Sequence, residues 1–254
     1  MTKTVVAFDV YGTLLSSEPL ACRLAEHFGQ NPGKSVATSW RRYQLEYTWR
    51  LNSMGRYEPF NKVTRNALSH SLAEHGLSLS QEAKDKLMDS YWNLSTFHEV
   101  CGALDKLATH GKLKPVLFSN GTKDMLSQAV SCLQESFQSV CVQSGDLEPH
   151  EEIFEEVVSV DPVGKFKPAP ETYEYLVERV GKDKKDKGQV GEIWLVSSNE
   201  YDVTGALSVG MKAAWVDRAG KGWVDAMDPE LIPTVTGKNL NDVIDVIIDK
   251  TGCH

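Results

Sequence analysis

Four short apolar runs constrain this chain more than any other feature: Val5–Phe8, Lys114–Phe118, Glu192–Val196 and Lys212–Val216. Each passes directly into a polar or glycine-bearing turn, the pattern of a fully buried strand. Helical stretches lie between them, as at Asp124–Leu133 and Thr172–Val180. Such alternation predicts an α/β fold built on a doubly wound parallel sheet. Leu147–Val160 is expected to hold a helix and a further strand, Glu156–Val160. The stretch from about 16 to 100 carries almost no strand signal. It reads as amphipathic helices at roughly 17–28, 34–53, 60–75 and 80–94. This predicts a helical cap subdomain (16–100) inserted into a core formed by 1–15 and 101–254, seated over the carboxyl ends of the strands. The run at 182–188, KDKKDKG, reads as a solvated loop.

Composition narrows the functional classes. The 254 residues carry a formal net charge of -8 with no long basic block, so nucleic acid and anionic membranes are not expected partners. No apolar run is long enough to span a bilayer. The N-terminus enters a strand without the charged-then-apolar pattern of a secretory signal. The cysteines number five and are widely spaced, as for reduced thiols in a cytoplasmic protein. The seven histidines form no HxH or HExxH pattern, so no histidine-built metal centre is expected. Two look-alikes fall away. Gly29–Ser35 resembles a phosphate-binding loop, but it is one residue short and follows a helix where a strand is required. No serine occupies a G-x-S-x-G elbow.

The chemistry-bearing residues gather behind the strands. Asp9 ends the first apolar run. An acid there is a turn or helix-capping residue about as readily as a nucleophile. Ser119 and Asn120 follow the second run, where a hydroxyl and backbone N–H groups can face an anion or cap a helix. Lys167, between Phe166 and Pro168, is either a surface lysine or a cation presented rigidly to a carboxylate. Ser197, Asn199 and Asp202 follow the third run, again as caps or site residues. Each signal is weak alone. Jointly they put polar groups at the ends of three strands with a lysine between the second and third, which independent caps would not require.

These segments, in this order, resemble the haloacid dehalogenase superfamily and, within it, the type II L-2-haloacid dehalogenases. The stretches that carry the resemblance are FDVYGTL at 8–14, WRRYQLEYTW at 40–49, FSNG at 118–121, VDPVGKFKP at 160–168, SSNEYD at 197–202 and GMKAAWVDR at 210–218. The resemblance implies a Rossmann-like core with a cap and hydrolysis of short L-2-haloalkanoic acids without cofactor or metal. Asp9 would attack carbon to form an aspartyl ester. Lys167 and Asp202 would orient and charge-balance it, with Thr13 hydrogen-bonded nearby and Ser197 and Asn199 placing the water. Ser119 would hold the substrate carboxylate, and Arg41 with Asn120 would cradle the halide. Tyr11, Leu45 and Phe60 would line the pocket, supported by Tyr173. A homodimer is also implied, although the aromatic helix at Trp40–Trp49 could equally be buried within the cap.

Tyr11 separates the readings. Phosphatases of the superfamily have a second acid at this position and an acidic cluster for Mg²⁺. Here a phenol replaces that acid, and the late segment offers Ser197, Ser198 and Asn199 before Asp202. Mg²⁺ prefers octahedral oxygen ligation with carboxylates, so displacement at carbon fits better than metal-assisted phosphoryl transfer. A Mg²⁺-dependent phosphatase and a non-catalytic anion-binding homologue are the alternatives. Arg42 stands where many family members have glutamine and Tyr201 where they often have tryptophan. Cys141–Glu152 is longer than in bacterial relatives.

Overall fold

The strands form where apolar, β-branched and aromatic residues run together. In the computed structural model, which describes residues 3–144 and 153–252, the elements follow in chain order. They are β1 (Thr4–Phe8), β2 (Leu15–Ser16), α1 (Glu18–Phe28), α2 (Gln30–Ser53), α3 (Phe60–Glu74), α4 (Gln81–Trp92), β3 (Ser95–Thr96), α5 (Val100–Thr109) and β4 (Leu113–Ser119). Then come α6 (Lys123–Ser144), β5 (Glu156–Ser159), α7 (Pro170–Arg179), α8 (Lys187–Val190), β6 (Trp194–Ser197), α9 (Glu200–Ser208), β7 (Lys212–Val216), β8 (Val235–Gly237) and α10 (Leu240–Gly252).

Six strands make one parallel sheet in the order β5-β4-β1-β6-β7-β8. Helices cover both faces, and β1 is buried from Val5 onward, as a central parallel strand must be. The chain winds outward from β1 to β4 and β5, then crosses back to β6. The crevice beyond β1, β4 and β6 is therefore the switch point at which open α/β sheets bind ligands. Asp9, Ser119 and Ser197 stand at these three strand ends.

The helical block leaves and re-enters the core through one two-stranded antiparallel ribbon, β2 with β3, pairing Leu15 with Thr96 and Ser16 with Ser95. A further bond from Phe97 N to Leu14 O (3.2 Å) extends it. Within the block, Gly29 lies at φ +82° between α1 and α2, a turn that favours glycine. A Cβ on Gly33 would meet Ala25 N at 2.5 Å. The glycines of the loop-like string at 29–35 thus serve a tight helix crossing.

The sequence reading misses several elements. The ribbon strands are two residues each, too short to show alternation. β8 and the flanking helices α5 and α10 have no counterpart in the sequence pattern described above. Strand β6 begins at Trp194, two residues later than expected, because Glu192 and Ile193 donate their N–H groups to Gln189 and Val190 at the end of α8. Helix α2 begins at Gln30, with Pro32 tolerated in a first turn that lacks intrahelical acceptors. Helix α6 runs on to Ser144. Residues 182–186 form the expected surface loop, but Asp186 caps α8 by accepting from Gly188 N and Gln189 N. The helix expected from Leu147, and much of the long Cys141–Glu152 segment, lie outside the described residues.

Candidate active site

Asp9 begins at the end of a strand with its backbone N–H on Val196 O of β6 (3.0 Å). The chain then turns sharply. Val10 O accepts from Thr13, Leu14 and Leu15 N, and Gly12 takes φ +90°. This turn brings Thr13 back over the carboxylate it follows. Asp9 Oδ2 accepts from Thr13 Oγ1 at 2.9 Å and from Asn199 Nδ2 at 2.8 Å. Thr13 Oγ1 in turn accepts from Ser198 N at 3.0 Å. Asp9 Oδ1 has one longer contact, 3.3 Å from Lys167 Nζ. Asp9, Thr13, Lys167, Ser197 and Asp202 are all buried.

Lys167 carries the charge balance of the core side. It is 0% exposed, and its three ammonium protons have three acceptors: Asp9 Oδ1, Asp202 Oδ2 at 2.9 Å and Phe118 O at 2.7 Å. Asn120 Oδ1 fixes its backbone by accepting from Lys167 N. The other oxygen of Asp202 accepts from Tyr173 OH at 2.8 Å. Burial raises the Asp202 pKa above the usual carboxylate range; Lys167 opposes the shift and the nearby charge of Asp9 adds to it. Gly205 makes room for this arrangement, since a Cβ there would meet Tyr173 OH at 2.3 Å.

The second half of the site comes from the helices. Arg41 on α2 donates from one guanidinium nitrogen to Gln44 Oε1 (2.6 Å) and from the other to Asn199 Oδ1 (3.1 Å). Asn199 therefore bridges Arg41 and Asp9. Burial works against the Arg41 charge, but Tyr201, Tyr91 and Asp9 outweigh it and leave its pKa raised. Burial also raises the pKa of Tyr11 and Tyr91, so both stay neutral phenols. Arg41, Gln44, Trp40, Tyr11, Tyr91 and Asn199 help line a cavity of about 80 Å³. An engineered apolar cavity of roughly 150 Å³ holds benzene, so this one suits a ligand of a few heavy atoms.

The structure thus brings Asp9, Thr13, Lys167, Asn199 and Asp202 into one hydrogen-bonded network, linked through Asn199 to Arg41. Tyr173 joins it through Asp202. Ser119 and Ser197 are buried beside it, each accepting from a nearby backbone N–H, Gly121 and Asn199 respectively. Phe60 packs behind Tyr11 (ring centroids 6.0 Å) and Leu45 is half-buried; neither is among the cavity-lining residues. The aromatic helix divides its roles: Trp40 is buried and Trp49 is 41% exposed, edge-on to Tyr201.

Sequence reasoning did not single out Gln44, Tyr91, Glu99 or Arg218. Gln44 lies three residues after Arg41, a spacing that shares a helix face and could have revealed it. Arg218 gives its guanidinium to Gly12 O, Thr13 O, Ser198 Oγ and Glu99. It also stacks on Phe97, with Cζ 3.7 Å from the ring centroid. It ties the turn after Asp9, through two backbone carbonyls, to Ser198 after β6 and to Phe97 and Glu99 just beyond β3.

Comparison with known proteins sets this geometry in context. The family model of haloacid dehalogenase-like hydrolases matches residues 3–210. This chain belongs to that family. Among curated haloacid dehalogenase-like relatives, it is 34% identical to the (S)-2-haloacid dehalogenase of Pseudomonas sp. (strain YL), over 85% of this chain and 83% of that one. A solved L-2-haloacid dehalogenase superposes with a TM-score of 0.81 at 30% identity, covering 97% of this chain and 99% of its own. The Xanthobacter autotrophicus L-2-haloacid dehalogenase was solved with chloropropionic acid covalently bound; it matches with a TM-score of 0.77 and 26% identity over 97% and 98% of the two chains.

Other members of the superfamily use Mg²⁺, and the residues here do not fit it. Tyr11 replaces an acid with a neutral phenol. Both Asp202 oxygens already hold hydrogen bonds, and the Lys167 ammonium lies between the two carboxylates. A divalent cation would have to displace that ammonium or share its ligands with it.

Proposed function

We infer that this chain hydrolyses the carbon–halogen bond of short L-2-haloalkanoic acids. The observation that carries the reading is a buried Asp9 joined through Asn199 to an Arg41-bearing cavity, with a phenol where a phosphatase needs its second acid. The names of the relatives and the covalent adduct of the Xanthobacter enzyme support it.

Asp9 Oδ2 is occupied by two hydrogen bonds, so Oδ1 is the freer oxygen and the one assigned as nucleophile. It forms a bond to the substrate Cα while the carbon–halogen bond breaks and the halide leaves with the electron pair. Arg41 faces the charge that grows on the halide, and its charge is worth most in a site closed to water. Ser119 and the adjacent backbone N–H groups are assigned to the substrate carboxylate, with Asn120 beside the halide. Tyr11 presents an aromatic wall to the alkyl part, backed by Phe60.

Water then attacks the carboxyl carbon of the Asp9 ester. The ester C–O bond to Asp9 breaks, the 2-hydroxy acid departs, Asp9 is restored and one proton is released to solvent. Ser197 and Asn199 are assigned to place this water. The single displacement at Cα inverts its configuration. Lys167 balances the charge of Asp9 as it attacks and again as the carboxylate is restored, and Asp202 holds the ammonium in place. No redox change occurs, and neither step requires a cofactor.

The cap assignment of 16–100, a homodimer and a cytoplasmic location belong to the same proposal. Among the described residues no helix is long and apolar enough to cross a membrane.

The test is halide release from L-2-chloropropionate. It should be insensitive to EDTA, absent with the D-enantiomer and absent in Asp9→Ala. After a single turnover in H₂¹⁸O, mass spectrometry should find the label in Asp9. A protein that releases no halide from any 2-haloacid at high concentration would sink the reading, as would label found only in the product.

A further inference from the structure

The charge on Arg41 depends on what holds it, and the structure gives it unusual partners. Two residues that accept from its guanidinium, Gln44 and Asn199, do so with neutral amide oxygens, and its further partner Tyr201 is a phenol that burial keeps neutral. The next residue shows the alternative. Arg42 places its guanidinium on both oxygens of Glu74, at 2.9 and 3.0 Å, where its charge is largely cancelled.

The orientation of Gln44 follows from its surroundings. Thr64 Oγ1 gives its single proton to Phe60 O at 2.7 Å. It can therefore only accept from Gln44, whose Nε2 lies 2.6 Å away. That nitrogen also donates to Tyr91 OH at 2.9 Å. With the amide nitrogen so committed, the oxygen faces Arg41. Gln44 is 1% exposed, so its side chain is held by α3 and α4 as well as by its own helix. Reversing the amide would set N–H against guanidinium and leave Thr64 facing an acceptor with no proton to give.

We propose that Gln44 is a positioning residue for carbon–halogen cleavage: it aims the Arg41 guanidinium into the cavity while leaving its positive charge uncancelled. The proposal rests on the reading of Arg41 as the group facing the departing halide. A carboxylate at position 44 would hold Arg41 in nearly the same place but neutralise it. The loss should then scale with how much the leaving group needs help, so chloride should suffer more than iodide. A residue that only supports the fold would slow both substrates alike.

The experiment compares single-turnover halide release from L-2-chloropropionate and L-2-iodopropionate in wild type, Gln44→Glu and Gln44→Met. For Gln44→Glu we expect a fall of about 100-fold with the chloride, the scale of losing one stabilising donor, and about tenfold with the iodide. Hydrolysis of the preformed Asp9 ester should be unchanged in H₂¹⁸O chase. Gln44→Met keeps the Arg41 charge but drops its acceptor. It should lose about tenfold on the chloride and less on the iodide; it decides the matter if the glutamate variant does not fold. Equal losses on both halides, or none, in a folded variant overturn the inference alone. A wild type that releases no halide overturns the underlying reading and this inference with it.

Discussion

The two halves of the site are built on different principles. On the core side, Asp9, Thr13 and Lys167 sit on strand ends and loops and Asp202 in the first turn of α9, all buried, with their polar atoms committed to one another. On the helical side, Arg41, Gln44 and Tyr91 come from α2 and α4 and border open volume. On the proposed reading, the core half holds the nucleophile in one geometry, and the helical half shapes the space for a substrate and its leaving group. The contrast predicts that stability is concentrated in the first half, and leaving-group and substrate preference in the second.

The largest effect that can break this contrast pairs Lys167→Met with Arg41→Gln. Removing Lys167 leaves two buried carboxylates without their shared cation, which costs about 3–5 kcal/mol of stability and most of the activity. Arg41→Gln should cost about 1 kcal/mol of stability yet lower halide release by roughly 10²–10³-fold. Urea unfolding of both variants beside initial rates is the check. Equal stability losses would erase the distinction.

A smaller effect concerns pH. Burial pushes the pKa of Asp202 up to about 6 in the folded chain, above that of an unfolded aspartate. The folded form therefore binds the proton more tightly. The contribution of this group to stability is complete below its unfolded pKa and is lost as pH rises toward and through 6. In Asp202→Asn, that part of the stability–pH slope between about 4 and 6 should vanish. An unchanged slope would place the titration elsewhere.

The smallest effect sharpens the helical half. Arg42→Ala removes an exposed, solvent-screened pair with Glu74, so it should leave the urea midpoint nearly unchanged and turnover within about twofold. A loss comparable to that of Arg41→Gln would mean that the two arginines share the role.

How much of this was legible in the sequence follows the same division. Strands buried on both faces appear as apolar runs, and the residue after each run is placed by the sheet. Asp9, Ser119 and Ser197 could therefore be located from the chain alone, as could the alternation that builds the sheet. Arg41 could be placed on a face shared with Leu45, but only the family motif distinguished it from Arg42. Gln44 and Tyr91 meet because three helices converge, a fact of tertiary packing that no local pattern records. Arg218 divides its contacts between backbone carbonyls of the Asp9 turn and side chains far away in sequence, so no local pattern gave a sign of it. The ribbon strands β2 and β3 pair across the whole helical block, beyond the reach of any local window.

That ribbon has a consequence for how such a molecule can change over time. Because Leu15 faces Thr96 and Ser16 faces Ser95, the core meets everything from Ser17 to Leu94 as one long loop with adjoining ends. The entropy of closing a loop grows only with the logarithm of its length. A block of another size or shape could therefore be grafted at the same two strands at little cost in loop closure, provided that contacts such as those of Arg41 with Asn199 and of Asn52 with Phe166 are replaced. On the proposed reading, the part that selects a substrate could then change while the part that supplies the nucleophile stays in place.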